Sequence, residues 1–217
     1  MSRSHLFAPL CAALLAAAAP LAAQTVADSG TFVIRHGGDT VATEEFSRTE
    51  TTIAGTLFLK NSRNTFQRYN VVVAPDATVP MVEVTVREDA DSGRAKARLV
   101  QRSRVIFRED SAAVDAVIGK HVETLVMGTE RGAVPYLNLS FAMLEQAVRR
   151  SRAPGADADV PFFNLGGGQT VSGRISPLGA DSLNLAIGDV EFHLRVDQAG
   201  RVLGGRIPAQ DVVVDRQ

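Results

Sequence analysis

The sequence predicts an α+β protein that is mainly β: a curved antiparallel sheet, half-barrel or barrel-like, packed on one central amphipathic helix. Three observations predict it. Between residues 31 and 109, six consecutive segments read as strands joined by short polar turns. One later stretch switches from a period of two to a helical period. The strand pattern then resumes and runs to the C-terminus.

The chain opens on a leader. Arg3 is followed by an apolar run, Leu6 to Ala19, and then by small residues up to Ala23. This is the layout of a secretory signal peptide over residues 1–23, with cleavage after Ala23. Pro9 and Pro20 interrupt the run and alanine dominates it, which reads against a membrane-spanning helix. The only cysteine, Cys11, lies inside the leader. The processed chain of 194 residues therefore has no disulfide, no thiol chemistry and no cysteine for lipid attachment at the cleavage point. It is expected to work in the periplasm or outside the cell. Residues 24–30 read as a flexible start, and residues 31–215 as a single β-rich domain.

The strands follow in order. Thr31 to His36 and Val41 to Thr49 flank Gly37-Gly38-Asp39, a hairpin pattern. Thr51 to Lys60 and Phe66 to Val73 come next, separated by Asn61-Ser62-Arg63-Asn64, and Pro75-Asp76 ends the pair. Val79 to Glu88 alternates, with Val82, Val84 and Val86 on one face and Glu83, Thr85 and Arg87 on the other. Arg94 to Glu109 is a further β segment, and Ser111 to Gly119 reads as a short helical turn. Leu137, Phe141, Leu144 and Val148 recur at i, i+4, i+7 and i+11, which predicts a helix over residues 136–151. Arg149 and Arg150 suit the negative end of its dipole, and Pro154-Gly155 stops it. Val160 to Leu165, Thr170 to Ser176, Ser182 to Ile187, Val190 to Asp197 and Arg201 to Pro208 read as strands, with Val212 to Val214 as a final edge strand.

Composition excludes some classes. After processing, 22 basic and 24 acidic side chains leave no bulk attraction to nucleic acid. The histidines His36, His121 and His193 show no zinc-ligand spacing, so no metal and no cofactor are expected. No nucleophile motif is present, and Gly166-Gly167-Gly168-Gln169-Thr170 lacks the lysine of a phosphate loop. The chain is therefore read as non-enzymatic. Glu44, Glu45 and Glu50 stand as scattered carboxylates that sequence alone does not place together. An outer-membrane barrel is disfavoured by two tyrosines and no tryptophan, too few for aromatic girdles.

The sharpest pattern is basic. Arg94, Lys96, Arg98, Arg102, Arg104 and Arg108 all occupy even positions and share one face of an unbroken strand. Fifteen residues at ~3.3 Å each span about 50 Å, so a bulge or bend is expected within them. The stripe reads either as a solvated sheet exterior or as a docking surface for an anionic membrane surface or an acidic envelope protein.

The order of leader, meander, central helix and returning strands resembles bacterial envelope half-barrel proteins of the lipoprotein-carrier kind. It is also similar to secreted domain-of-unknown-function proteins of the same layout. Asp197-Gln198-Ala199-Gly200-Arg201 is the nearest thing to a shared strand–turn–strand signature. The resemblance implies an apolar concavity able to hold a hydrophobic small molecule or lipid, lined by Phe32, Phe58, Phe107, Phe141 and Leu144. The alternative is that these residues fill a dry core, which makes the protein a structural or protein-interaction module of the envelope.

Overall fold

The computed structural model describes residues 28–89, 97–152 and 158–217. The leader, residues 24–27, Arg94, Lys96 and the Pro154-Gly155 stop lie outside the described residues.

Alternating side chains carry most of the chain into strands. β1 (Asp28–His36), β2 (Asp39–Arg48), β3 (Thr52–Leu59), β4 (Thr65–Val72), β5 (Met81–Glu88), β6 (Arg98–Phe107), β7 (Ser111–Ile118) and β8 (His121–Gly128) form one antiparallel meander. After β9 (Val134–Tyr136) and helix α1 (Phe141–Ser151), β10 (Asp159–Asn164) returns parallel to β9. A second meander follows: β11 (Thr170–Gly179), β12 (Ser182–Ile187), β13 (Val190–Val196), β14 (Val202–Ile207) and β15 (Val212–Arg216). All fifteen strands belong to one open sheet in the order β8-β7-β6-β5-β4-β3-β2-β1-β15-β14-β13-β12-β11-β10-β9. The sheet curls around α1, as the predicted fold class requires, and its two edges, β8 and β9, do not pair with each other.

Four expectations are corrected. Val212 to Val214 is not an edge: β15 pairs with both β1 and β14 and joins the two meanders at the centre of the sheet. Its buried Val212 and Val214 continue the apolar face of Phe32 and Ile34. Residues 28–30 are not a loose start but the first residues of β1, and Asp28 is tied to Arg216 at 2.5 Å. The helical turn expected at Ser111 to Gly119 is strand β7, because pairing with β6 outweighs the helix propensity of its alanines. The helix expected from residue 136 begins at Phe141. Val134–Tyr136 is held as a strand by β10, Leu139 takes a left-handed φ of 65°, and Ser140 caps the helix.

The core lies between the sheet and α1. Phe32 stacks on Phe46 at 5.3 Å and packs on Phe141 at 5.8 Å, and Phe141 meets Phe192 at 6.4 Å. Among the described residues no helix is long and apolar enough to cross a membrane.

Candidate functional site

Two polar constellations stand out, one buried under the helix and one exposed on the far side of the sheet. The first starts at Glu44 on β2. Its side chain points to α1 and is fully buried. Glu44 Oε2 accepts from the backbone N–H groups of Phe141 (2.7 Å) and Ala142 (3.0 Å). Its Oε1 accepts from Ser140 Oγ (2.5 Å) and Tyr69 Oη (2.7 Å). Helix α1 has no acidic residue in its own first turn, so the sheet supplies the negative group that its N-terminus favours. Burial raises the Glu44 carboxyl above its ordinary value, with the four donors pulling the other way. Burial, together with Glu44, also pushes the Tyr69 hydroxyl well up.

One turn along, Arg48 donates to Gln146 Oε1 (2.5 Å) and to the Ala142 carbonyl (3.1 Å), with Glu145 at 3.2 Å. Burial lowers Arg48 to about 10 against the opposing pull of Glu145. Glu145 also accepts from Arg149 Nε (2.9 Å), the Val202 N–H (2.9 Å) and Arg216 Nη1 (3.3 Å). The network ties α1 to β2, β4, β14 and β15 and so docks the helix on the sheet. The scattered carboxylates do not converge: Glu44 points inward, Glu45 sits on the opposite face, and Glu50 lies in an exposed turn.

The five residues expected to line an apolar concavity separate. Phe32, Phe141 and Leu144 are packed beneath the helix with at most 1% of their surface exposed. Phe107 is half-buried and meets Phe163 edge-on at 5.4 Å. Phe58 is on the other face. It follows the buried Leu57 in β3 and pairs in register with Thr43 and Phe66, and its ring lies 4.9 Å from that of Phe66.

That other face carries the second constellation. The register sets Glu45, Thr56, Arg68, Thr85 and Arg102 in one row across five adjacent strands, β2 to β6. A cleft of about 710 Å³ runs along this row, bordered by Ser47, Phe66 and Arg87. It continues past Arg68, Thr85 and Arg102 into a second hollow of about 600 Å³ that reaches Glu83, Arg104 and Asp115. Arg104 lies opposite Glu83 and Asp115 and is 3.8 Å from the Glu83 carboxylate. Arg68 and Arg102 flank Thr85 and have no carboxylate partner among the described residues. Their strands are separated by one strand, so their backbones stand about 10 Å apart. Two guanidinium forks beside a hydroxyl, without a carboxylate partner among the described residues, suit a phosphate or carboxylate.

The basic stripe is shorter than its spacing predicts. The β5–β6 register shifts at Val86/Arg87, so Gln101 faces Val86 while Leu99 faces Arg87 and Arg98 faces Glu88. Val100 is the extra residue of a bulge, and it turns Arg98 to the face opposite Arg102 and Arg104. Arg108 lies beyond the end of β6, in the turn closed by its N–H to the Ser111 carbonyl. Arg68 was not singled out by sequence. Its signal was parity: it sits one residue before Tyr69, on the polar side of an alternating strand. Among the described residues no cluster of three metal-ligating side chains occurs.

Fold and site together define a mainly β, α+β protein whose open curled sheet is filled by one helix on one face and presents a basic groove on the other. No protein-family model matches the chain, and no curated protein matches it. Among solved structures, it is similar to a DUF1089 family protein from Pseudomonas aeruginosa, with a TM-score of 0.54 and 13% identity over 79% of this chain and 91% of that one. At that identity the likeness shows the fold.

Proposed function

We propose that this protein is a non-enzymatic module of the bacterial envelope, working outside the cytoplasm, that binds an anionic, lipid-like partner on the outer face of its sheet. The single observation that carries this reading is the Arg68–Thr85–Arg102 row in its groove, two cations without carboxylate partners among the described residues, next to an aromatic border. An anionic head group fits the guanidinium pair. An apolar tail fits the neighbouring Phe66 and Phe58 rings and the exposed Leu99. The ligand then needs no opening beneath the helix, where Phe32, Phe141 and Leu144 already pack on one another. The leader supports the location, and the layout resembles that of lipoprotein-carrier half-barrels.

The test is cosedimentation of the processed chain with vesicles of phosphatidylglycerol or of phosphatidylcholine at low salt. The expected result is binding to the anionic vesicles alone, weakened at least tenfold in Arg68→Glu/Arg102→Glu. Equal binding to both vesicles, no binding to either, or full binding by the double variant overturns the reading.

A further inference from the structure

The two edges of the sheet are built differently. β9 has three residues, includes Pro135, and buries both Val134 and Pro135. That is a protected edge. β8 is eight residues long, has no proline, and has no strand paired on its far side among the described residues. Val122 and Val126 are 73% and 74% exposed, and Leu125, Ile118 and Val117 are exposed beside them. Such a long, apolar, open edge is the kind that folded proteins normally blunt.

We propose that β8 pairs antiparallel with β8 of a second copy of this chain, about a two-fold axis through Thr124, joining two sheets into one. The backbone sets the register. The Thr129 N–H bonds to the Asp110 carbonyl on the β7 side. Odd-numbered residues of β8 therefore turn their N–H and C=O groups to β7, and Val122, Thr124, Val126 and Gly128 turn theirs to the free edge. Centring the axis on Thr124 sets these free groups opposite one another in hydrogen-bonded pairs.

Side chains then match on both faces. On the outer face the two most exposed large hydrophobic residues meet, Val122 opposite Val126 of the second copy and the reverse, with Thr124 opposite itself. On the inner face Glu123 comes opposite Leu125, and His121 opposite Met127. No like charges meet. Lys120 arrives at the Gly128 end of the other strand, diagonal to Glu130. Moving the axis by one residue to Glu123 sets two carboxylates side by side, so charge selects against that register. Every contact made on one side is repeated on the other, as an isologous interface requires.

The experiment is sedimentation equilibrium of the processed chain, together with oxidative cross-linking of its Thr124→Cys variant, which carries no other cysteine. The expected result is a particle of twice the mass of the processed chain, and rapid formation of a disulfide dimer by Thr124→Cys. The same treatment of Ala113→Cys, one strand in, gives no dimer. Val122→Lys/Val126→Lys is expected to sediment as a monomer with an unchanged far-ultraviolet circular dichroism spectrum. A wild-type chain that stays monomeric at 100 µM (about the upper end of common working concentrations) overturns the proposal, as does cross-linking no faster at Thr124 than at Ala113. If the lysine variant loses its fold, the cross-linking result alone decides.

Discussion

Tyr69 reaches across the sheet to donate its hydroxyl to Glu44 at 2.7 Å, passing over the place where Gly55 has no side chain. Gly55 and Tyr69 are paired in register on β3 and β4. A Cβ on Gly55 would overlap the Tyr69 ring and stand 2.8 Å from the Glu45 carbonyl. The glycine is what lets a tyrosine on β4 help hold the carboxylate that caps the helix.

Gly55→Ala is therefore expected to destabilise the fold by about 3 kcal/mol, through overpacking and loss of a charge-assisted hydrogen bond. Urea unfolding measures it. Tyr69→Phe, which removes only the hydroxyl, should cost less. A Gly55→Ala protein as stable as wild type refutes the account.

Glu44 gives a pH signature. Because burial raises its carboxyl above 4.5, the native state holds that proton more tightly than the unfolded chain does. The associated stabilisation is fully present below pH 4.5 and is lost as pH rises through the native pKa. The difference in unfolding free energy between wild type and Glu44→Gln should fall as pH rises from 4.5. A difference that stays flat from pH 4 to 8 contradicts the assignment.

Arg102 and Arg104 share a face but differ in company. Each cation near an anionic surface is worth about 1 kcal/mol, so neutralising one costs about fivefold in affinity. Arg102→Gln should show this loss on phosphatidylglycerol vesicles. Arg104→Gln should show less, because Glu83 and Asp115 already offset Arg104. Equal losses at the two positions would mean that local pairing does not govern the groove.

Truncation after Asp211 removes β15, which bridges β1 and β14. The shortened chain should lose its cooperative thermal transition, since the cut opens two central strands and the ion pairs of Asp215 with Arg35 (2.7 Å) and of Arg216 with Asp28. A retained transition near the wild-type midpoint would show that the halves hold without it.

Much of this architecture was legible along the chain. Val82, Val84 and Val86 announced β5 because one inward face, buried at the first two and half-buried at Val86, imposes a period of two. Phe141, Leu144 and Val148 marked the helix for the same reason at period 3.6. Leu137 fitted that period by coincidence. Only the Ser140 cap and the pairing of β9 with β10 show where the helix starts. Arg98 followed the parity of Arg102 in sequence and lost it in space, because a bulge at Val100 adds one residue to one strand and none to its neighbour. Phe58 was expected to line the concavity that the resemblance implies, yet strand parity places it outside with Phe66.

By itself the sequence determined β1 to β6, the helix, the strands that return after it and which side chains alternate together, since these depend on the local geometry of the backbone; β7, β8 and β9 it did not give. It also determined that the residues after position 23 contain no cysteine. Tertiary structure alone decided that the last strand sits at the centre of the sheet, that Glu44 and Tyr69 converge on the helix end, and that Arg68 and Arg102 flank Thr85 while Arg104 lies against Glu83. Each of these joins residues on separate strands, and register and curvature are set by which strands meet. No local period records that choice.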